Sequence, residues 1–262
     1  MSIQEDILEG LMLSDLSIPS PRKETQNTFM TLSTIHKGFA DHLLEVLDSE
    51  GFKIYERKAR VSYDKKLNKI FNHKTSYYVQ TLVRERYKNL RQVWYVDKKK
   101  IVPKSINLNP ISLKYMFYGD GCCSKYGKYG WQISLATDSF TLEECNFIKD
   151  LLLNKYNLHF TVSRASKTKE QYALRLQIQK DVKLFFEIIG ESIPCFEYKW
   201  KLKDYVKPLP KENPNWRKIV HKETGIIFNT IVEGAKFANM KAVTLCGQLK
   251  QNRDYCLFKY AE

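Results

Sequence analysis

Two acidic residues stand at the same place in two separate apolar segments of the chain. Asp15 follows residues 8–14, and Asp120 follows residues 113–119, roughly one hundred residues further on, about the length of a small domain. Each segment predicts a buried helix with a small residue, Ser14 or Gly119, directly before the carboxylate. If the two helix ends meet, the carboxylates form a divalent-metal site. The main-chain carbonyls of Ser14 and Gly119 supply further oxygen ligands.

The composition indicates a globular intracellular protein with a polyanionic partner. The chain has 262 residues, with 43 Lys and Arg against 29 Asp and Glu, and a formal net charge of +14. Its six cysteines lack metal-site spacing, which is typical of a reduced compartment. The acidic N-terminus has no secretory or transit pattern, and no apolar stretch is long enough to cross a membrane. We expect the cytoplasm or nucleoid of a phage or bacterial host, or an organelle matrix.

The pattern of elements predicts two halves, 1–104 and 105–203, each with the order helix–strand–strand–helix–strand–strand–helix. The first half contains a helix near 5–14, a strand at 28–34, a helix over 36–50, strands at 53–63 and 76–83, and a helix over 84–95. The second contains a helix over 111–119, a strand at 131–137, a helix over 141–156, strands at 158–166 and 172–179, and a helix over 181–190. Thr141 and Glu144 form a capping-box pattern.

Alternating polar and apolar residues predict antiparallel sheets with one buried face and one solvated face. An ordinary solvated face explains any single strand. Long Arg, Lys and Gln side chains on several strands of both halves favour a surface that binds the DNA major groove. The candidates for base or phosphate contacts are Arg57 or Lys58, Arg60, Gln80, Arg84, Gln132, Ser134, Arg164, Arg175 and Gln177.

The composition changes after Trp200. Residues 204–215 are rich in Pro and Lys and predict an extended basic linker. Residues 216–262 predict a small module with a hairpin, two short helices joined by a tight turn, and a last strand, which suggests a helix-turn-helix. Lys241, Thr244, Gln248 and Gln251 lie on one stripe of its second helix and are candidate DNA contacts. The alternative is that this stripe is the solvated side of a small helix.

These features resemble the LAGLIDADG homing endonucleases in their single-chain, two-motif form, over residues 5–203. The closer match is the second motif, residues 108–121, with Thr137–Cys145 after it. Residues 223–239 resemble the small NUMOD modules of intron-encoded nucleases. The sequence departs from the motif at Glu9 and Lys114, where small residues are usual, at Tyr115, where glycine is frequent, and at Leu16, in place of the final glycine.

The resemblance implies an α+β fold of two pseudo-symmetric αββαββα halves, whose antiparallel sheets form a DNA-binding saddle. It also implies that Asp15 and Asp120 bind Mg²⁺, that Mn²⁺ substitutes, and that Ca²⁺ binds without supporting cleavage. By their positions, Lys100 and Lys199 resemble the basic residues of the family's active site, although an ordinary phosphate-contacting or solvated lysine is the alternative.

The first hypothesis is a monomeric, metal-dependent endonuclease that makes double-strand breaks in a long pseudo-palindromic site. The second is an RNA maturase that uses the same basic surface to assist the splicing of a group I intron. The third is a DNA-binding protein of the same fold that does not cut. Asp15 and Asp120 favour the first hypothesis, because neither of the other two needs paired carboxylates.

Overall fold

A computed structural model describes residues 2–21, 23, 26–64, 67–127, 130–166, 168–204, 218–251 and 255–261. The chain divides into two compact units, Met1–Tyr205 and Val206–Glu262. Apart from Asp204, the linker predicted at 204–215 lies outside the described residues. Within the described residues, no helix has both the length and the apolar character needed to cross a membrane.

The first half of the first unit contains three α-helices and a small antiparallel sheet. The helices are α1 (Ile3–Met12), α2 (Lys37–Val46) and α3 (Glu85–Trp94). The strands are β1 (Thr31–Thr34), β2 (Lys53–Arg57), β3 (Arg60–Asp64), β4 (Lys69–His73), β5 (Ser76–Gln80), β6 (Tyr95–Val96) and β7 (Lys99–Lys100). The sheet has the order β1-β5-β2, while β3 pairs with β4 and β6 with β7. Ser2 caps α1 through a capping box with Glu5, so the helix begins before its predicted start.

The second half has the order helix–strand–strand–helix–strand–strand–helix. Its elements are α4 (Pro110–Asp120), β8 (Gly121–Tyr126), β9 (Gly130–Ala136), α5 (Leu142–Tyr156), β10 (Thr161–Arg164), β11 (Tyr172–Leu176) and α6 (Gln179–Ile189). The antiparallel sheet has the order β10-β11-β9-β8. Thr141 and Glu144 make both hydrogen bonds of the predicted capping box. A 3₁₀ segment follows at Pro194–Asp204.

The two halves share one sheet topology, and the predicted α+β class is confirmed. The order β2-β5-β1 in the first half corresponds to β10-β11-β9 in the second. Where β8 pairs with β9, the first half has an isolated bridge between Ser17 and Thr31. Buried residues of both halves belong to one hydrophobic core, which includes α1 and α4.

Several strands differ from the prediction, and the short strands β6 and β7 were not predicted at all. The predicted strand 53–63 is broken at residues 58–59, where the Ala59 N–H donates to Thr75 Oγ1 at 3.2 Å and leaves the ladder. Strand β4 was missed because residues 69–73 lack a clear alternation. Strand β8 was missed because Gly121 suggested a loop. In the structure, a Cβ on Gly121 would overlap Phe117, so packing against α4 requires this glycine.

The second unit has its own small core. Its elements are β12 (Ile219–His221), β13 (Ile227–Phe228), α7 (Ile231–Phe237), α8 (Ala242–Lys250) and β14 (Phe258–Tyr260), with the antiparallel order β13-β12-β14. Its buried residues include Ile219, Ile231, Leu245, Leu249 and Phe258. Thr230 caps α7 by accepting the Glu233 N–H at 3.2 Å.

Candidate active site and nucleic-acid-binding faces

Helices α1 and α4 pack so closely that small residues are required where they touch. A Cβ on Gly10 would overlap the main-chain oxygen of Ser112 and lie 2.9 Å from the Tyr115 Cβ. A Cβ on Gly119 would lie 2.5 Å from Ser14 Oγ. Both distances are below ordinary van der Waals contact. The C-terminal ends of the two helices are therefore held directly against each other.

This packing brings the two motif aspartates to one place. Asp15 lies in the turn after α1, and its Oδ2 is 3.3 Å from the position a Cβ on Gly119 would occupy. Asp120, the last residue of α4, is half-buried. The pKa of the Asp120 carboxyl is raised to about 7, first by burial and then by the negative charge of Asp15. The pKa of Asp15 is also raised, because surrounding protein displaces water, although this side chain still reaches solvent.

Lys100 and Lys199 lie beside these carboxylates in matching arrangements. Lys100 Nζ donates to the main-chain oxygens of Met12 (3.0 Å), Ser14 (2.9 Å) and Leu16 (2.7 Å). Lys199 Nζ donates to those of Phe117 (3.0 Å), Tyr118 (2.7 Å) and Gly119 (3.4 Å). An ammonium has three N–H groups, and each lysine donates all three to main-chain oxygens at or just after the C-terminal end of a motif helix. The two positive charges offset the negative helix ends next to the aspartates.

Burial lowers the pKa of each lysine to about 8. The nearby negative charges of Asp15 and Asp120 oppose this shift in both lysines, and Cys122 also opposes it in Lys199. In turn, the positive charges of the two lysines partly oppose the rise in the pKa of both aspartates. Each group thus influences the others electrostatically. Because Asp15, Asp120, Lys100 and Lys199 are the candidate catalytic groups, we call them the active-site cluster.

The donor set of the active-site cluster suits Mg²⁺, which takes one or two carboxylates and otherwise keeps water or phosphate oxygens. Among the described residues, no group of three or more His, Cys, Asp or Glu side chains is placed to hold a metal ion. The candidate carbonyl ligands of Ser14 and Gly119 already accept from Lys100 and Lys199. A carbonyl oxygen has a second lone pair, so this hydrogen bond does not exclude a metal.

Sequence reasoning missed the roles of two residues that depart from the motif. Glu9 is buried, and its carboxylate accepts the N–H groups of Asn107 (2.9 Å) and Leu108 (2.7 Å), at the entry to α4. Tyr115 makes a 2.6 Å hydrogen bond to His42 Nε2, between α4 and α2 of the other half. The available signal for Glu9 was an acidic residue inside the otherwise apolar run of residues 7–13.

The strand register places several of the predicted DNA contacts on one face of each sheet. In the second half, Ser134 lies opposite Arg175, and Gln177 Nε2 donates to Gln132 Oε1 at 3.1 Å. The alternate residues of these strands, Ile133, Leu135, Leu174 and Leu176, are fully buried. In the first half, Arg57 and Gln80 share a face with Tyr78, and the Arg57 guanidinium lies 4.7 Å from the centre of that ring. The register therefore favours Arg57 over Lys58 on this sheet face.

Four other candidates lie elsewhere. Arg84 follows the end of β5, caps α3, and donates through Nη1 to the Ser49 oxygen at 3.1 Å. Thr161 pairs with Arg175, so Thr161 and Ser163 lie on the same sheet face as Arg175. Arg164, the next residue of β10, lies on the opposite face. Lys58 occupies the strand break, and Arg60 begins the β3–β4 ribbon opposite His73.

The four candidates of the second unit lie on or at the ends of α8. Lys241 precedes the helix and Gln251 follows it; Lys241, Thr244 and Gln251 are exposed, and Gln248 is half-buried. The buried side of the helix carries Leu245 and Leu249. The stripe predicted from the sequence is therefore the solvent-facing side.

The family model of the LAGLIDADG DNA endonuclease family matches residues 5–186. This range covers α1 from residue 5 onward, all of α4, and the strands of the first unit. The chain belongs to the LAGLIDADG DNA endonuclease family.

The chain is also similar to individual proteins. The chain is 31% identical over 200 residues to the uncharacterized protein MJ1098 of Methanocaldococcus jannaschii, covering 74% of this chain and 72% of the relative. It is 28% identical over 201 residues to the cytochrome b mRNA maturase bI2 of Debaryomyces hansenii, with the same coverage. The fold is similar to that of the homing endonuclease I-WcaI bound to its DNA recognition sequence, with a TM-score of 0.61, 24% identity, and coverage of 75% of this chain and 85% of that one.

Proposed function

We propose that this chain is a metal-dependent, site-specific DNA endonuclease that makes double-strand breaks in a long pseudo-palindromic site. The observation that carries the proposal is the convergence of Asp15 and Asp120 where α1 and α4 cross, with a buried lysine beside each helix end. A protein that only binds nucleic acid gains nothing from two adjacent carboxylates, which repel each other and a phosphate backbone.

Asp15 and Asp120 would hold the divalent cations, Mg²⁺ in the cell, with Mn²⁺ as an active substitute. A bound ion supplies an activated water and neutralises charge on the leaving oxygen. The close packing at Gly119 keeps the carboxylates together before DNA arrives, so little reorganisation accompanies binding. Lys100 and Lys199 hold the two helix ends in place and add positive charge where the phosphate approaches.

Recognition is assigned to the solvated faces of the two sheets. Arg57 and Gln80 in the first half, and Gln132, Ser134, Arg175 and Gln177 in the second, contact base edges in the major groove. The other basic candidates contact phosphates. The net charge of +14 makes affinity fall steeply with salt concentration, because bound cations are released from the DNA.

The second unit is proposed to extend the binding site. Lys241, Thr244, Gln248 and Gln251 contact DNA beyond the region covered by the sheets, and the helices α7 and α8 act as a helix-turn-helix. The Pro- and Lys-rich residues 204–215 act as a basic linker between the units. The active protein is a monomer, since one chain already supplies both halves of the site.

Cleavage of a random duplex library in Mg²⁺, followed by sequencing of the new ends, tests this function. We expect a single long preferred site cut on both strands, and no cutting in Ca²⁺, which binds without supporting cleavage. Asp15→Asn and Asp120→Asn should each abolish cutting of both strands, while DNA affinity in Ca²⁺ stays within about tenfold, a free-energy change of about 1.4 kcal/mol.

Asp41→Asn is the matched control, because Asp41 is an exposed carboxylate on α2 whose ion-pair partner is Lys37. It should cut as the unchanged protein does. Normal cutting by either active-site variant would refute the metal assignment. Specific binding without any cutting by the unchanged protein would favour the non-cleaving alternative.

A second candidate function is RNA maturation, and it is favoured by the 28% identity to a protein named as a maturase. A splicing assay with a group I intron inserted at the preferred DNA site separates the two functions. Stimulated splicing that survives Asp15→Asn and Asp120→Asn would assign the basic surface to RNA, because RNA folding does not need the carboxylates.

A further inference from the structure

A cavity of about 270 Å³ opens beside Asp15 and Lys199, at one side of the active-site cluster. His36, at the start of α2, and Tyr198, next to Lys199, form part of its wall. A larger cavity, of about 520 Å³, lies between α1, α3 and residues 103–106, and it includes neither aspartate. The smaller cavity is therefore the one that can influence the reaction directly.

Aromatic rings build the wall of this smaller cavity. Phe196 lies at the centre and is only 2% exposed, and the rings of His36, Phe39 and Tyr118 each have a centroid 5.0 Å from its centroid. Tyr198 is the outermost ring, 49% exposed, with its centroid 6.0 Å from that of His36 and the two planes only 28° apart. A rigid, buried aromatic cluster thus supports a half-exposed tyrosine next to Lys199.

In the first half, residues 97–99, directly before Lys100, contain no aromatic ring. The residue before Lys199 is Tyr198, whereas the residue before Lys100 is Lys99. Three positions before the lysine, the second half has Phe196 and the first half has Asp97. Asp97 begins a tight charged turn between β6 and β7, with φ of +48°. The environment of the two lysines is therefore different, although their main-chain contacts match.

We infer that Tyr198, supported by His36 and Phe196, binds the nucleoside next to the phosphate that is cut at the Asp15–Lys199 side of the site. This inference rests on the proposed endonuclease function. Aromatic rings stack on bases of any sequence, and the wall lies beside Lys199, whose positive charge attracts a phosphate, and beside Asp15, which would hold the metal ion. The cavity is slightly smaller than the 300–1,000 Å³ or so typical of drug-sized ligands, and its size suits one nucleoside.

The inference predicts that one DNA strand depends on Tyr198 and the other does not. Tyr198→Leu removes the ring, and Tyr198→Phe keeps it and serves as the matched control. The assay uses the full chain, Mg²⁺ and a duplex that was selected by binding in Ca²⁺, with each strand labelled separately. Tyr198→Leu should slow the cutting of one strand by about 5- to 150-fold, which corresponds to about 1–3 kcal/mol of stacking. The other strand should change less than about twofold, and Tyr198→Phe should match the unchanged protein on both.

A binding measurement in Ca²⁺ gives an independent readout. 2-Aminopurine is placed beside each cut phosphate in turn, and its fluorescence should be quenched on one strand by the unchanged protein and by Tyr198→Phe, but not by Tyr198→Leu. Three results would overturn the inference. The first is equal slowing of both strands, the second is an equal loss of cutting rate in Tyr198→Leu and Tyr198→Phe, and the third is equal quenching on both strands. If the unchanged protein cuts neither strand, the proposed function fails, while the fluorescence comparison still decides whether the ring binds a base.

Discussion

Glu9 connects the first motif helix to the chain that enters the second. Its two carboxylate oxygens accept the N–H groups of Asn107 and Leu108, and Leu108 has a φ of +46° that few non-glycine residues adopt. A small residue, as the family motif usually has here, could not satisfy these donors. The departure from the motif is therefore a structural adaptation in which the carboxylate holds an unfavourable backbone conformation in place.

We predict that Glu9→Ala lowers the free energy of unfolding by about 1–3 kcal/mol, because it leaves the buried Leu108 N–H and the part-buried Asn107 N–H without their acceptor. Glu9→Gln keeps one acceptor oxygen and should lose about half as much. Urea unfolding of the full chain measures both. Glu143→Ala, at a side chain that is 86% exposed, is the control and should change stability by less than about 0.5 kcal/mol. A loss no larger than that of the control would contradict this role of Glu9.

At the scale of elements, the crossing of α1 and α4 determines whether the active-site cluster exists. The helices approach so closely at Gly10 that any Cβ would overlap main-chain atoms of Ser112, which cannot rotate away as a side chain can. Relief of that overlap requires the whole helix to shift. Because Asp15 lies in the turn after α1 and Asp120 is the last residue of α4, such a shift would also separate the carboxylates.

Gly10→Ala should therefore destabilise the first unit by about 3 kcal/mol, at the upper end of overpacking costs, and abolish cutting. The control is Gly247→Ala in the middle of α8, where an added Cβ would meet no atom within 4 Å. That variant should be neutral or stabilise the second unit by about 0.5–1 kcal/mol, because alanine favours helices. Thermal unfolding and the strand-cutting assay read out both variants. A Gly10→Ala protein with normal stability and cutting would show that the crossing tolerates a wider spacing.

Helices were predicted better than strands. The capping box at Thr141–Glu144 and the apolar spacing of α2 are local signals, and both led to the right element. Strands depend on partners distant in sequence, so the break at residues 58–59 and the edge strand β8 could not be derived from local pattern alone. For the same reason, only the register showed that Arg164 lies on the face opposite Arg175.

At the scale of the whole molecule, the two compact units divide at Tyr205. A chain that ends at Tyr205 keeps the complete hydrophobic core of the first unit, whose buried residues all precede that position. The second unit has a separate core. Removal of one unit should therefore leave the other folded.

We expect the chain that ends at Tyr205 to unfold at nearly the same temperature as the first unit of the full chain. It should bind DNA more weakly, with a shorter footprint and a shallower dependence on salt, because phosphate contacts are lost. Footprinting at two salt concentrations measures this. Lys241→Gln in the full chain provides a milder comparison, since it removes one exposed charge at α8. An unchanged footprint in the truncated chain would exclude a DNA-binding role for the second unit.

The parts of the active-site cluster were not equally accessible from the sequence. The repeated motif identified Asp15 and Asp120 because each follows an apolar helix at the same position. Lys100 and Lys199 came only from the family resemblance, since nothing local distinguishes them among the many other lysines. The aromatic wall around Tyr198 was not predicted, because His36 and Phe196 come from different halves and meet only in the folded chain.

The hydrogen bonds from the N–H groups of residues 107 and 108 to Glu9 also limit which half-domains can be exchanged with relatives. A hybrid that joins this first half to the second half of a relative would treat the two halves as interchangeable parts. Here the partner half must offer two N–H groups to an acidic residue, or the graft buries an unpaired charge. Successful chimaeras from this chain will therefore carry residues 105–109 together with the first half, which moves the joint for an exchange to the start of α4 at Pro110.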